Sequence, residues 1–393
     1  MRPPAPSLVR PWLAHALPAR GPRVQSGIRL FASSSATRAE PQKVPVALIS
    51  KVRAARPGTP LSLAKSALVA ANNDLDAALA WISKQAAESG AKKAEKLASR
   101  TAEQGLVAVA VLADGTGQVG VRAALVELRC ETDFVARTDE FRELAEGIAR
   151  SLAYFAEPTT ATSASASLIK LDTTNDLVLE TPVVPSPARV AALAESGNSV
   201  AAAASQETVR SSLAQIVSRL GENIRLHRAA SISLEPGLPS SSSSTTQPRY
   251  LASSYLHASK TPADAAASGV QSGTLGGLVL ARLAAFPDGT ARPETTEVKG
   301  LLRALARQVV AVPTESVRAT GAGAAEGEQS LALYEQPLIT LAPSPKFEFE
   351  AGSKVADVLA KWSELRGLQQ AEGLEVVEVA RWELGAAEAD AAE

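Results

Sequence analysis

The hydrophobic period of the chain changes at Gly105, and this change limits the fold more than any other feature of the sequence. Before it, apolar residues recur at helical spacings. Leu48 and Val52, then Leu61 and Leu68, then Leu75, Leu79 and Ile82 share faces, with breaks at Arg56-Pro57-Gly58-Thr59-Pro60 and Ala71-Asn72-Asn73-Asp74. Three short helices are expected, with Asn73 or Asp74 as N-cap of the third. A connecting helix is expected from Ala91 to Gln104, with Lys92, Lys93, Lys96 and Arg100 on a solvated face. After Gly105 the spacing is that of strands. Leu106 to Leu112, a turn at Asp114-Gly115-Thr116-Gly117, and Val119 to Cys130 read as a hairpin that is apolar on both faces and therefore well buried. A helix from about Asp139, with Phe141, Leu144, Ile148 and Leu152 on one side, is expected to pack on that sheet. The fold class is α+β.

Further along, residues 157–204 are rich in Pro, Ser, Thr and Ala and sustain no period, so an insertion or mobile linker is expected. A helix from about Glu207 should stop at Gly221. Ile224, Leu226, Arg228, Ala230, Ile232 and Leu234 then alternate with more polar residues, as in a half-buried strand. Ser240 to Thr246 is low-complexity. Gly277-Leu278-Val279 through Asp288-Gly289-Thr290 echoes the first hairpin and suggests a second sheet on the same plan. Helices near Lys299 to Val309 and Lys354 to Leu365, a strand from Val376 to Leu384 and a frayed acidic tail from Gly385 complete the pattern.

Charge is unevenly distributed. The chain has 40 basic and 41 acidic side chains, but residues 1–31 hold five arginines (Arg2, Arg10, Arg20, Arg23 and Arg29) and no acid; the remainder carries 35 basic against 41 acidic, a net of −6. An Arg-rich, acid-free start without a long apolar run reads as an organelle transit peptide, with a processing site near Phe31 in Arg29-Leu30-Phe31-Ala32-Ser33-Ser34. The acidic remainder lacks the basic surplus that drives nonspecific nucleic-acid binding. A single cysteine, Cys130, excludes an internal disulfide framework, and His15, His227 and His257 lie far apart, so a metal site has little to build on. The apolar run Leu106 to Ala113 is too short for a bilayer, which needs about 20 residues as a helix. No phosphate-cradling, nucleophile-elbow or zinc-protease motif is present, and the carboxylates near Asp139, Glu140, Glu143 and Glu146 read as a solvated helix face. No poised acid, base or nucleophile can be named. An enzyme, a resident cofactor and a resident metal are not expected.

The unusual element is Glu131-Thr132-Asp133-Phe134-Val135, between a buried strand and a helix. At such a rim a large aromatic either folds into the core or projects outward. The local pattern by itself favours Thr132 or Asp133 as an N-cap and Phe134 as core.

Cys130-Glu131-Thr132-Asp133-Phe134-Val135-Ala136-Arg137, with Phe141 downstream, resembles the signature of the elongation factor Ts family. Other stretches are similar to family landmarks, in the family's order. They are Ala71-Asn72-Asn73-Asp74-Leu75-Asp76 with Trp81-Ile82, Gly90-Ala91-Lys92-Lys93-Ala94, Ala102-Glu103-Gln104-Gly105-Leu106-Val107, Leu220-Gly221-Glu222-Asn223-Ile224-Arg225, Ser254-Tyr255-Leu256-His257, Gln336-Pro337-Leu338 and Arg381-Trp382-Glu383-Leu384-Gly385. The resemblance implies an N-terminal ubiquitin-associated-like three-helix module, then a core of two subdomains, each a small antiparallel sheet packed with helices. The corresponding division is a transit peptide and leader over 1–42, the module and connecting helix over 43–100, one core subdomain over 101–204 and the other over 205–393.

The resemblance also implies the activity: guanine-nucleotide exchange on elongation factor Tu. Asp133 and Phe134 occupy the positions whose aromatic wedges behind the GTPase's Mg²⁺ site, with Thr132 and Val135 supporting the turn. The expected partner is mitochondrial elongation factor Tu, GDP-bound and nucleotide-free, in the mitochondrial matrix, with no direct nucleic acid and no membrane. Two departures from the family stand out. Arg56-Pro57-Gly58-Thr59-Pro60 replaces the Thr-Gly-Ala-Gly turn of the first module, and the stretch from Thr314 to Gln329 leaves no room for the long coiled-coil arm of bacterial members. A rival of another class is an adaptor using residues 44–86 as a ubiquitin-binding module without exchange activity.

Overall fold

The computed structural model of the chain describes residues 43–393, apart from residue 57 and segments 158–165, 196–206, 237–247, 259–268, 287–292, 320–328, 369–372 and 387–393. The expected transit peptide and its cleavage site, Ser240 to Thr246, Asp288-Gly289-Thr290 and most of the acidic tail lie outside these residues. The protein is α+β, with two small antiparallel sheets and helices. Among the described residues no helix is long and apolar enough to cross a membrane.

Three helices come first: α1 Val46–Ala55, α2 Leu61–Ala70 and α3 Leu75–Leu97. Val52, Ala64, Ala67, Leu68, Ala78 and Ile82 form their small shared core. Asp74 caps α3, its carboxylate accepting the Ala77 N–H at 2.8 Å. The expected third helix and connecting helix are one continuous helix of 23 residues, and Gln104 already opens a strand. The reason is packing. Gly90 weakens a free helix, but here it faces α8, Val209–Leu220, so closely that a Cβ would lie 1.7 Å from the Ala214 carbonyl oxygen. Ser89 and Ser218 hydroxyls lie 3.0 Å apart and Lys93 donates to the Ser218 carbonyl at 2.8 Å, fixing the same contact. The Arg56 guanidinium donates to Glu207 at 3.0 Å and to Gln215 at 2.7 Å.

The first sheet contains β1 Gln104–Asp114, β2 Val121–Cys130, β3 Ile169–Leu171, β4 Arg225–Leu234 and β6 Val270–Gly273, in the order β3-β4-β2-β1-β6. As the sequence predicts, both faces of the β1–β2 hairpin are covered. On one, Ala124, Val126 and Leu128 meet Phe141, Ile148 and Leu152 of α5, Asp139–Phe155. On the other, Val107, Val109, Ala123 and Leu125 meet Ala252, Leu256, Leu278 and Leu280 of the second sheet. That sheet is β5 Arg249–His257, β7 Leu275–Leu283 and β8 Leu374–Glu383, in the order β5-β7-β8. Its far face carries α9, Thr295–Ala311, and α10, Val355–Glu364, through Leu305, Val309, Val358 and Trp362.

Four expectations change. Strand β4 is not half-buried with one apolar face: Leu226 and Ala229 join the core under α5, whereas Ile232 and Leu234 join the core between the sheets. The cause is a bulge, since β2 advances from Glu127 to Leu128 while β4 steps from Arg228 to Leu226, and one extra residue swaps the two faces. The second sheet does not copy the first hairpin, because β7 pairs with β5 and β8, and α9 and α10 intervene before β8. Within 157–204 the described part is tied down. β3 pairs with β4, short helices run over α6 Asp176–Leu179 and α7 Pro187–Glu195, and Val184 N–H donates to Ser151 Oγ at 2.7 Å. Finally, β4 and β6 follow residue 205 yet belong to the first sheet, so a division at 204 cuts through that sheet.

Candidate functional site

Strand β2 ends at Cys130, and the chain turns through Thr132 into a one-turn helix, α4 Asp133–Ala136. Thr132 is extended (φ −118°, ψ 152°) and caps α4, its Oγ1 accepting the Val135 N–H at 3.4 Å. The same hydroxyl donates to Glu222 Oε1 at 2.6 Å, and the Thr132 N–H donates to Glu222 Oε2 at 3.1 Å. One residue earlier, Glu131 Oε1 accepts the Asn223 N–H at 2.7 Å, and the Asn223 amide donates to the Arg100 carbonyl at 2.7 Å. The exit is pinned too. Thr138 caps α5 by accepting the Phe141 N–H at 3.3 Å, and its hydroxyl donates to the Val135 carbonyl at 2.8 Å.

These anchors decide where the side chains point. Successive residues on a helix are about 100° apart, and Val135 is committed to the core under α5, 8% exposed. Its neighbour Phe134 therefore faces away and is 80% exposed. Of the two caps expected, Thr132 or Asp133, it is Thr132 that forms one, whereas the local expectation of Phe134 as core is reversed. Asp133 lies beside Phe134, and its carboxylate pairs with Arg137 at 2.8 Å in a solvent-exposed i,i+4 pair. Asp133, Phe134, Thr132 and Val135 thus sit in one turn, with Phe134 facing outward, Val135 facing in, and Thr132 and Asp133 partly exposed.

Cys130 is buried beneath the turn, its thiol donating to the Thr132 carbonyl at 3.2 Å. Burial, reinforced by the Glu222 carboxylate, pushes its pKa up to about 12. A thiol so held stays neutral and is no nucleophile. Among the described residues no group of three or more His, Cys, Asp or Glu is arranged to hold a metal ion.

Sequence reasoning used Glu222 and Asn223 only as part of a landmark and missed their role. They follow the αL stop at Gly221 (φ 74°), which turns α8 back toward the end of β2 and delivers a carboxylate and an amide to Thr132 and Glu131. A carboxylate directly after a glycine helix stop was the available signal.

Comparison with known proteins identifies the family. Residues 131–242, which begin at the turn, match the family model described as Elongation factor TS. The chain is 33% identical to the mitochondrial elongation factor Ts of Mycosarcoma maydis, over 90% of this chain and 87% of the relative. It is 32% identical to that of Coprinopsis cinerea, over 88% and 92%, and 32% identical to that of Malassezia globosa, over 90% and 91%. These relatives are mitochondrial by name, and the mitochondrion is the location of this chain as well. With a relative matched at that identity along nearly its whole length, and the family's signature folded into a single rim turn, the chain belongs to the elongation factor Ts family, mitochondrial type.

Proposed function

We propose that the protein is the guanine-nucleotide exchange factor of mitochondrial elongation factor Tu, binding the GDP form, displacing Mg²⁺ and GDP, and leaving when GTP binds. The observation that carries this reading is Phe134, a large apolar ring held 80% exposed on a turn fixed at both ends. Exposing such a ring costs the free protein the roughly 1.5–3 kcal/mol that its burial would yield. A partner recovers that energy on contact. Asp133 supplies a carboxylate at the same edge. In the proposed complex the ring inserts behind the GTPase's metal site, disturbing the elements that hold Mg²⁺ and the phosphates, on which nucleotide affinity depends.

Phe134 does not suffice by itself. Accelerating GDP release about 10³-fold takes roughly 4 kcal/mol off the barrier, more than one ring provides. We assign the remainder to a wider interface. The first three helices, read as a ubiquitin-associated-like module, would meet the nucleotide domain, and the second half of the core, built around the second sheet, would meet another part of the GTPase. Reciprocity follows, because a factor that weakens nucleotide binding is itself weakened by nucleotide. Residues 1–42 are proposed as a transit peptide for the matrix. The test is release of a fluorescent GDP analogue from mitochondrial elongation factor Tu. The protein should accelerate it, Phe134→Ala should lose most of the acceleration while remaining folded, and full activity in that variant rejects the wedge.

A further inference from the structure

Besides their shared apolar core, the two sheets are joined by a buried ionic cluster, which plays no part in the proposed exchange reaction as stated so far. Glu127 of β2 is fully buried, and both carboxylate oxygens are engaged at 2.6 Å, Oε1 by Arg129 and Oε2 by Arg228 of β4. Arg228 pairs directly opposite Glu127, at the last position before the bulge in β4. Arg228 then reaches across to the second sheet. Its guanidinium lies 4.5 Å from the ring centroid of Trp382 and donates to the Glu383 carbonyl at 3.0 Å, while the Gly385 N–H donates to Glu127 at 3.4 Å. The end of β8 is thereby fastened to β2 three residues before Cys130, about 10 Å along the strand from where the turn begins.

We infer that Arg228, through Glu127 and Trp382, is a positioning residue for exchange, holding the second sheet in register with the turn that carries Phe134. This rests on the proposed exchange function, in which both regions engage one partner. A rigid joint between two contact patches lets binding energy gained at one be used to drive the ring into the metal site at the other, which raises the rate at saturation rather than the affinity. With Arg228 removed, the apolar core still holds the sheets together and each patch still binds, but the end of β8 is no longer tied to β2 beside the turn, and binding energy gained there is not delivered to the ring. The saturating exchange rate should therefore fall while the concentration of factor giving half-maximal rate changes little.

The informative variant is Arg228→Leu. Glu127 keeps Arg129 and the Gly385 N–H, both on Oε1, so the carboxylate retains a buried cation although Oε2 loses Arg228. Arg228→Lys retains the charge but cannot supply the planar stack and the fork together, and it serves if the leucine variant does not fold. We expect Arg228→Leu to lower the saturating rate of GDP release about tenfold, with the half-saturating concentration within about twofold of the parent, and Arg228→Lys to recover part of the loss. Parental saturating rates in a folded Arg228→Leu or Arg228→Lys protein overturn the inference, as does a loss that appears only as a raised half-saturating concentration. Phe134→Ala, assayed in parallel, separates the two levels. If it is inactive while both Arg228 variants match the parent, only the positioning role is rejected; if it is fully active, the wedge and the inference built on it both fall.

Discussion

Phe134 and Phe141 stand seven residues apart, one on the rim turn and one in α5, and their environments are opposite: 80% exposed against fully buried. Both segments begin with a threonine cap, Thr132 and Thr138, so local backbone chemistry does not separate them. What separates them is length. The 17-residue helix α5 has a whole apolar face to lay on the sheet, and Phe141 falls within it. One-turn α4 has room for a single inward residue, which is Val135. Phe141 serves the stability of the protein and Phe134 its proposed encounter with a partner.

Mutation should break the comparison cleanly. Phe141→Ala is expected to cost about 3–5 kcal/mol of stability, read as a lowered midpoint in chemical denaturation. Phe134→Ala should leave that midpoint within about 0.5 kcal/mol yet slow nucleotide exchange by roughly 10- to 150-fold, the equivalent of 1.5–3 kcal/mol. A large stability loss in the second variant would erase the distinction. The buried thiol beneath the turn sharpens it through pH. The folded-state pKa of Cys130 is raised from 9.0 to about 12, so the protonated form is favoured by folding. This contribution is full below about pH 9 and is lost as pH rises toward 12, by up to about 1.4 kcal/mol per unit. Denaturation midpoints measured from pH 8 to 10.5 should fall less steeply in Cys130→Ala. Thr132→Ala removes the cap and the Glu222 anchor, costing about 1 kcal/mol and loosening the ring's support, visible as faster amide exchange at Val135. Arg137→Ala should change stability by only a few tenths of a kcal/mol, because its pair with Asp133 is exposed.

Much of the fold was legible because its signals are local. The β1–β2 hairpin needs no more than two apolar runs and a turn, and α8 stops at Gly221 where a left-handed backbone is required. What escaped detection depends on distant partners. Gly90 looks like a weak point until Ala214 is opposite it, and the even-numbered apolar residues of β4 look like one face until a bulge swaps them. The segment around β3 and Val184 is held by hydrogen bonds, from strand pairing with β4 and from the Val184 N–H to Ser151 Oγ, which leave no hydrophobic period to read. At the candidate site the four residues of the turn were legible as a motif. The outward ring came only through family resemblance, since exposure of Phe134 is decided by Val135 and by Glu222, ninety residues away from Thr132.

The missing side chain at position 90 makes a strut of α3. Because backbone touches backbone there, any side chain at position 90 would force α3 and α8 apart, and the residues that grip the base of the rim turn, Glu222 and Asn223, come directly after the glycine that ends α8.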